Sequence, residues 1–343
     1  MDYLLQYGLF LAKVVTLVVS LVVVIGVAIG LGNRTRKQHA EGELEIEQLN
    51  DTLEQMGDAL QVATLSPASR KLWQKNKKKT SKEKKKGNSD SRQKVYLLEF
   101  KGDLRASAVA SLRQEITAVL TQAVPEDEVV VRLESAGGMV HSYGLAASQL
   151  DRIRERGIPL TVCVDKVAAS GGYMMACVAD KILAAPFAMI GSIGVVAQLP
   201  NFHRLLKKHD VDVELHTAGD YKRTLTMFGE NTEEGREKFI EDLEEIHGIF
   251  KDFVKEHRQA VDINEISTGK VWLGSHAIDG GLVDELKTSD TYLVEKSSEA
   301  DIYQVKFVYH KSLPEKLGMA AENRADSLLI RWFDRLRAGR FFS

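Results

Sequence analysis

Apolar positions along the chain fall into three textures. From Tyr7 to Gly32 they are almost continuous: YGLFLAKVVTLVVSLVVVIGVAIGLG carries one charge, Lys13. Residues 14–32 form an uncharged run of 19, long enough to cross a bilayer core as a helix. A secretory signal would have a shorter apolar region ending in small residues at a cleavage site. This run ends in Gly32, Asn33 and Arg34, so it predicts a retained anchor over 1–33. In the second texture, 40–62, the residues Leu44, Leu49, Leu53, Met56 and Leu60 fall near one helical face among Glu and Asp, which predicts a stalk helix. From Val95 onward, short apolar runs alternate with helical spacing. Strands are predicted at VYLLEF (95–100), EVVVRLES (128–135), LTVCVD (160–165), KILAA (181–185), MIGSIGVV (189–196) and VDVELHTAG (211–219). Helices are predicted over 106–123 and 139–156, after Ser170, and as a pair within 232–259. Strands alternating with helices imply crossover units and a largely parallel sheet. The expected organisation is an anchor (1–33), a stalk and linker (34–93), an α/β domain (94–295) and a C-terminal segment (296–343). That last segment holds the amphipathic, basic LLIRWFDRLRAGRFF (328–342), a docking or membrane-surface helix.

Charge changes this picture more than composition does. The net charge is only -2 over 343 residues, but residues 70–86 hold ten Lys or Arg in seventeen positions. This stretch reads as a flexible basic linker. Close to anionic lipid each basic residue is worth about 1 kcal/mol. Nucleic acid is not an expected partner, because the aromatic residues that stack bases are missing apart from Trp73. Arg34, Arg36 and Lys37 follow the apolar span while only Asp2 and the terminal amine precede it, which places residues 34 onward in the cytoplasm. Cys163 and Cys177 are the only cysteines and read as small buried hydrophobes. No CxxC and no cluster at metal-ligand spacing occurs, so neither a metal nor an organic cofactor is expected.

Candidate chemistry centres on VDKVAASGGYMMACVAD (164–180). Two adjacent glycines weaken a helix by about 1 kcal/mol each, so the backbone there must do something a larger residue would block. Ser170 follows a buried strand and begins a helix, at the sheet edge where open α/β folds put their sites. The Gly171 N–H then lies at a positive helix end, half of an oxyanion hole. The turn Gly137–Gly138 follows the neighbouring strand and supplies the other half. The plainer alternative is a helix-capping serine beside packing glycines. A serine nucleophile needs a base. His141, His203 and His216 are candidates without a marking motif; Lys222, in AGDYKRTLT, is another, provided burial lowers its pKa. The SxxK pairs Ser81–Lys84 and Ser91–Lys94 lie in the charged linker, where nothing holds a site rigid.

The stretches VVVRLESAGGMVHSYGLAASQL, VCVDKVAASGGYMMACVADKI, IGSIGVVAQLPNF, LHTAGDYKRTLT, GENTEEGREKF and GLVDE resemble the signal peptide peptidase A family of membrane-bound serine proteases. Within it they most resemble the SohB-type members of Gram-negative inner membranes. The resemblance covers nearly the whole chain and weakens after about residue 295. It implies a ClpP/crotonase-like fold, a spiral of ββα units that oligomerises, following an N-terminal transmembrane helix and a helical, basic linker. It implies a Ser-Lys dyad: Ser170 as nucleophile, Lys222 as general base and Ser192 orienting the lysine. The oxyanion donors match the backbone of Gly171 and the turn Gly137–Gly138. Ala136 departs from the family, which commonly has proline there. In that family the serine and lysine can come from neighbouring subunits, and the same is expected here, so a homo-oligomer is implied. Substrates are expected to be extended apolar peptides, such as cleaved signal peptides or membrane-protein fragments. Bacterial relatives face the periplasm, against the charge flank, so the membrane face stays open. Two rivals stand beside this reading: a crotonase-like acyl-CoA enzyme on the same architecture, and a non-catalytic membrane scaffold working through its stalk and linker.

Overall fold

The computed structural model describes residues 42–84, 92–219 and 221–309. Leu44–Phe307 forms one compact body. Its elements, in chain order, are β1 (Gly42–Gln48), α1 (Leu49–Thr64), α2 (Pro67–Lys84), β2 (Lys94–Lys101), α3 (Val109–Leu120), β3 (Glu128–Glu134), α4 (Val140–Arg154), β4 (Leu160–Val164), β5 (Val167–Ala169) and α5 (Gly171–Ala176). There follow β6 (Lys181–Ala184), β7 (Met189–Gly191), α6 (His203–Lys208), α7 (Glu233–His257), α8 (Ile263–Ile266), β8 (Val271–Leu273), α9 (Gly274–Ala277), β9 (Glu285–Leu286), α10 (Ser289–Glu299) and β10 (Asp301–Tyr309).

The main sheet runs β1-β10-β2-β3-β4-β6-β9, and its pairs from β10 to β9 are parallel. The central strands are apolar at nearly every position because both faces are covered. Side chains alternate between the faces. Tyr96, Leu98 and Phe100 of β2 join Val129, Val131 and Leu133 of β3 in a core covered by α3, α4 and α5. Val95, Leu97 and Val130 face the other way, into a smaller cluster with Tyr292 and Leu293 of α10. A second sheet, β5-β7-β8, pairs β5 with β7 in parallel and β7 with β8 antiparallel. The Ser135–Ala168 bridge ties it to the end of β3. The main-sheet strands β4 and β6 are thus each followed by a short strand of the second sheet, and these two short strands lead to Ser170 and Ser192.

Several expectations shift. Residues 42–48 form a strand, and the helix begins only at Leu49: GELEIEQ alternates apolar and acidic residues with period two, the strand spacing. α2 occupies the described part of the basic linker, with Pro67 at its first position, where a missing N–H costs nothing. The predicted strand 211–219 is exposed and, among the described residues, pairs with no strand. The two helices expected within 232–259 are one, capped by the Thr232 side chain, which accepts from the Gly235 N–H at 3.1 Å. Among the described residues no helix is long and apolar enough to cross a membrane. The expected anchor (14–32) and the C-terminal amphipathic stretch (328–342) lie outside the described residues.

Candidate active site

Ser170 stands between β5 and α5 with φ 52° and ψ -122°, a backbone shape that side chains other than glycine rarely adopt. Strain of this kind amounts to about 1–3 kcal/mol and persists only where surrounding bonds enforce it. Here the Ser170 N–H donates to Gly191 O at 2.8 Å, and the Met174 N–H donates to Ser170 O at 2.9 Å. The glycines that follow are close-packed. A Cβ on Gly171 would lie 2.4 Å from Cγ of Tyr143, and one on Gly172 would lie 2.4 Å from Ser135 O. Both are filled by buried neighbours, so larger residues are blocked by packing as well as by any need for open backbone.

The turn after β3 reaches the same point. Gly137 has φ +90°, and a Cβ there would lie 2.7 Å from Ser170 Cβ and 2.8 Å from Gly171 N. Behind this turn runs a buried relay of hydrogen bonds. The Gly137 N–H donates to Ser135 Oγ at 3.1 Å, Ser135 Oγ meets the Tyr143 hydroxyl at 2.6 Å, and that hydroxyl donates to Asp103 O at 2.8 Å. Burial pushes the Tyr143 pKa up, with Asp103 adding to it, so the hydroxyl keeps its proton. The Gly137 N–H is therefore committed inside the turn. The N–H groups of Gly138 and Gly171 have no acceptor among the described residues, and Gly138, Ser170 and Gly171 border one small cavity. Two free donors beside a serine hydroxyl can hold an oxyanion that forms when the hydroxyl attacks a carbonyl.

Ser192 lies alongside. Ala169 pairs with Gly191 in the β5–β7 register, so the residues that follow, Ser170 and Ser192, leave their strands at the same level, both with positive φ. The Ser192 N–H donates to Lys270 O at 2.8 Å, while its hydroxyl, like that of Ser170, has no partner among the described residues. Lys270 itself holds its ammonium 3.6 Å from the centroid of the Trp272 ring.

Lys222 is placed elsewhere. It is exposed and borders a different pocket, with Ala197, Leu199, Tyr221 and Phe239. Within one chain the structure unites Ser170, Ser192 and the two glycine turns, and does not bring Lys222 to them. The three candidate histidines are not brought to Ser170 either: His141 is exposed, His216 meets only Glu214 among the described residues, at 3.3 Å, and His203 starts α6, and none of them borders the Ser170 cavity. Ile246 and Phe250 of α7 also border the Ser170 cavity. Sequence reasoning passed over both, since nothing in a 25-residue charged helix marks which apolar positions face a site 76 and 80 residues earlier. Cys163 and Cys177 are free and buried, and desolvation pushes the Cys163 thiol up to about 12. Among the described residues no group of three or more His, Cys, Asp or Glu is placed to hold a metal.

Comparison with known proteins agrees with the sequence resemblance. Residues 2–150 match the family description "Peptidase family S49 N-terminal", and residues 152–303 match "Peptidase family S49". The Haemophilus influenzae protein named "Probable protease SohB" is 49% identical over 342 residues, covering 96% of each chain. The protein of the same name from Buchnera aphidicola subsp. Schlechtendalia chinensis is 47% identical over 307 residues, covering 86% of this chain and all of its own. Among solved structures, the 1510-N membrane-bound stomatin-specific protease, as a mutant bound to a substrate peptide, matches at TM-score 0.41 and 14% identity, over 66% of this chain and 96% of that one. That likeness is too distant to place any residue. The matched residues and the near full-length relatives agree: the chain belongs to peptidase family S49, as a SohB-type protease.

Proposed function

We propose that the protein is a membrane-anchored serine endopeptidase of ClpP/crotonase-like fold. Ser170 is its nucleophile, and Lys222 its general base, supplied by a neighbouring copy. The observation that carries the reading is Ser170, held at φ 52° beside the unpartnered N–H groups of Gly138 and Gly171. Lys222 removes the Ser170 proton, and the hydroxyl oxygen attacks the peptide carbonyl. The carbonyl oxygen becomes an oxyanion between the Gly138 and Gly171 N–H groups. Lys222 then protonates the leaving amine. In the second half Lys222 takes a proton from a water that attacks the acyl-serine carbonyl, and returns it to the Ser170 oxygen as the acyl chain leaves as a carboxylic acid. Ser192, level with Ser170, orients the incoming lysine amine. The assignment of Lys222 to a second copy is supported by its separation from the Ser170 cavity and by its exposure. Extended apolar peptides from signal sequences or membrane-protein fragments are the proposed substrates, and the span 14–32 the proposed inner-membrane anchor.

The test is cleavage of casein by detergent-purified full-length protein. Ser170→Ala and Lys222→Ala should each be inactive while still assembled. Co-expressing the two variants should restore activity at about one quarter of the sites if each site draws on two copies. Activity retained in Lys222→Ala would discard the dyad. Two inactive variants that never complement would place the dyad within one chain.

A further inference from the structure

The cavity at Ser170 is very small. Its volume is about 10 Å³, roughly the space that admits one water molecule. Apart from the glycine backbone and Ser170 itself, its walls are Val140, Met174, Val195, Ile246 and Phe250. A carbonyl attacked by Ser170, with its oxygen toward the Gly138 and Gly171 N–H groups, carries its own side chain on the adjoining Cα. That side chain comes within a few ångströms of the nucleophile, and the walled space is this cavity.

The wall formed by α7 is fixed. Phe250 is 3% exposed and Val254, one turn on, is fully buried. The end of α7 is tied down beyond them. His257 Nε2 meets Asp151 of α4 at 2.9 Å. Arg258 donates to both carboxylate oxygens of Asp284, at 2.7 and 2.9 Å, and to Gly281 O at 2.6 Å. Phe250 thus lies on the anchored part of α7, whereas the preceding turns of the helix bury no residue. Met174, unbranched and flexible, can adjust to a ligand, but an aromatic ring packed into the core cannot move aside without opening a void.

Resting on the reading of Ser170 as nucleophile, we infer that this cavity receives the side chain of the residue whose carbonyl is attacked, and that Phe250 limits it to the size of alanine. Peptides are therefore cut after alanine or glycine and not after leucine or an aromatic residue. The apolar walls favour the methyl group, and they offer a longer or polar side chain neither room nor a hydrogen-bond partner.

The experiment is digestion of casein by the full-length protein in detergent, with the C-terminal residue of each fragment read by mass spectrometry. It is followed by rates on a peptide pair differing only in Ala or Leu before the cut bond. One methylene in an apolar pocket discriminates by about 10–200-fold, so kcat/KM should favour the Ala peptide by at least about 100-fold. Phe250→Ala and the milder Phe250→Leu should each narrow that ratio at least about tenfold, mainly by accelerating the Leu peptide. Wild-type fragments ending as often in Leu or Phe as in Ala would overturn the inference, whether or not the variants fold. Assembled variants with an unchanged ratio would also overturn it. Ser170→Ala separates the two levels: cleavage that persists in it sinks the nucleophile, whereas its loss alongside a leucine-tolerant wild type sinks only the size limit.

Discussion

Tyr143→Phe is the cleanest probe of how the turn at Gly137–Gly138 is held. The substitution keeps the ring on which Gly171 packs and which meets Phe100 edge-on at 6.3 Å between centroids. It removes only the hydroxyl, and with it the 2.6 Å bond to Ser135 Oγ and the 2.8 Å bond to Asp103 O. Ser135 is 1% exposed and the Tyr143 side chain fully buried, so water cannot replace the missing group without displacing atoms. Leaving a buried polar partner unsatisfied costs about 1–3 kcal/mol, and with two partners affected the upper half of that range is expected. Freed from Tyr143, Ser135 Oγ no longer has a fixed orientation for accepting the Gly137 N–H, so the turn that positions the Gly138 donor loosens. Under the proposed mechanism the loss falls on the transition state, so kcat should drop about tenfold with KM nearly constant. Ser135→Ala should show the same kcat effect with a smaller loss of stability, because Tyr143 keeps its bond to Asp103. Denaturant titration and casein or peptide kinetics on both variants give the answer. A Tyr143→Phe protein within about 0.5 kcal/mol of wild type and of unchanged kcat would refute the relay's role.

Two further outcomes concern pH. Burial, with Glu99 adding to it, raises the Glu115 carboxyl from 4.5 to about 7, although the Phe307 N–H donates to it at 2.8 Å and Lys306 lies near. Between those values the folded chain holds a proton that the unfolded chain releases, so stability falls as pH rises through the window. Glu115→Gln keeps an acceptor for Phe307 and should flatten that slope, with a gain of up to about 3 kcal/mol above neutrality, read from denaturant midpoints at several pH values; a slope left intact would show that another group sets it. His257 is shifted upward, chiefly by its bond to Asp151, against the pull of desolvation. Its contribution is full below its ordinary pKa and disappears as pH rises through the raised one, so the melting-temperature gap between wild type and His257→Gln should be widest in mild acid and close in alkali; a gap independent of pH would contradict the charged pair.

What the sequence disclosed depended on how local the physics was. β2, β3 and β4 were legible because strands buried on both faces must be apolar throughout, a signal confined to a few neighbouring residues. Ser170 was legible because two glycines after an apolar strand are costly unless the backbone is crowded, and Tyr143 and Ser135 crowd it. The strand 42–48 was hidden by its glutamates, which favour a helix in isolation while alternating as a strand does. Residues 211–219 read as a strand from their valines, yet a strand needs a partner, and none of the described strands pairs with them. The α7 wall was illegible since Ile246 and Phe250 differ from other apolar helix positions only in what lies opposite them. The separation of Ser170 from Lys222 was equally out of reach of local pattern; the expectation of a second copy came from family resemblance and not from spacing.

Under the proposed mechanism the positive φ at Ser170 sets stability against chemistry at a single position. Glycine is the residue that relaxes there, and Ser170→Gly should release roughly 1 kcal/mol of strain. A lineage screened for heat resistance alone therefore drifts toward glycine at 170 and discards the hydroxyl in the same step. For the same reason a Ser170→Gly protein is a poor inactive control, being a sturdier molecule than the one it is meant to imitate, whereas Ser170→Ala keeps the strain and loses only the oxygen.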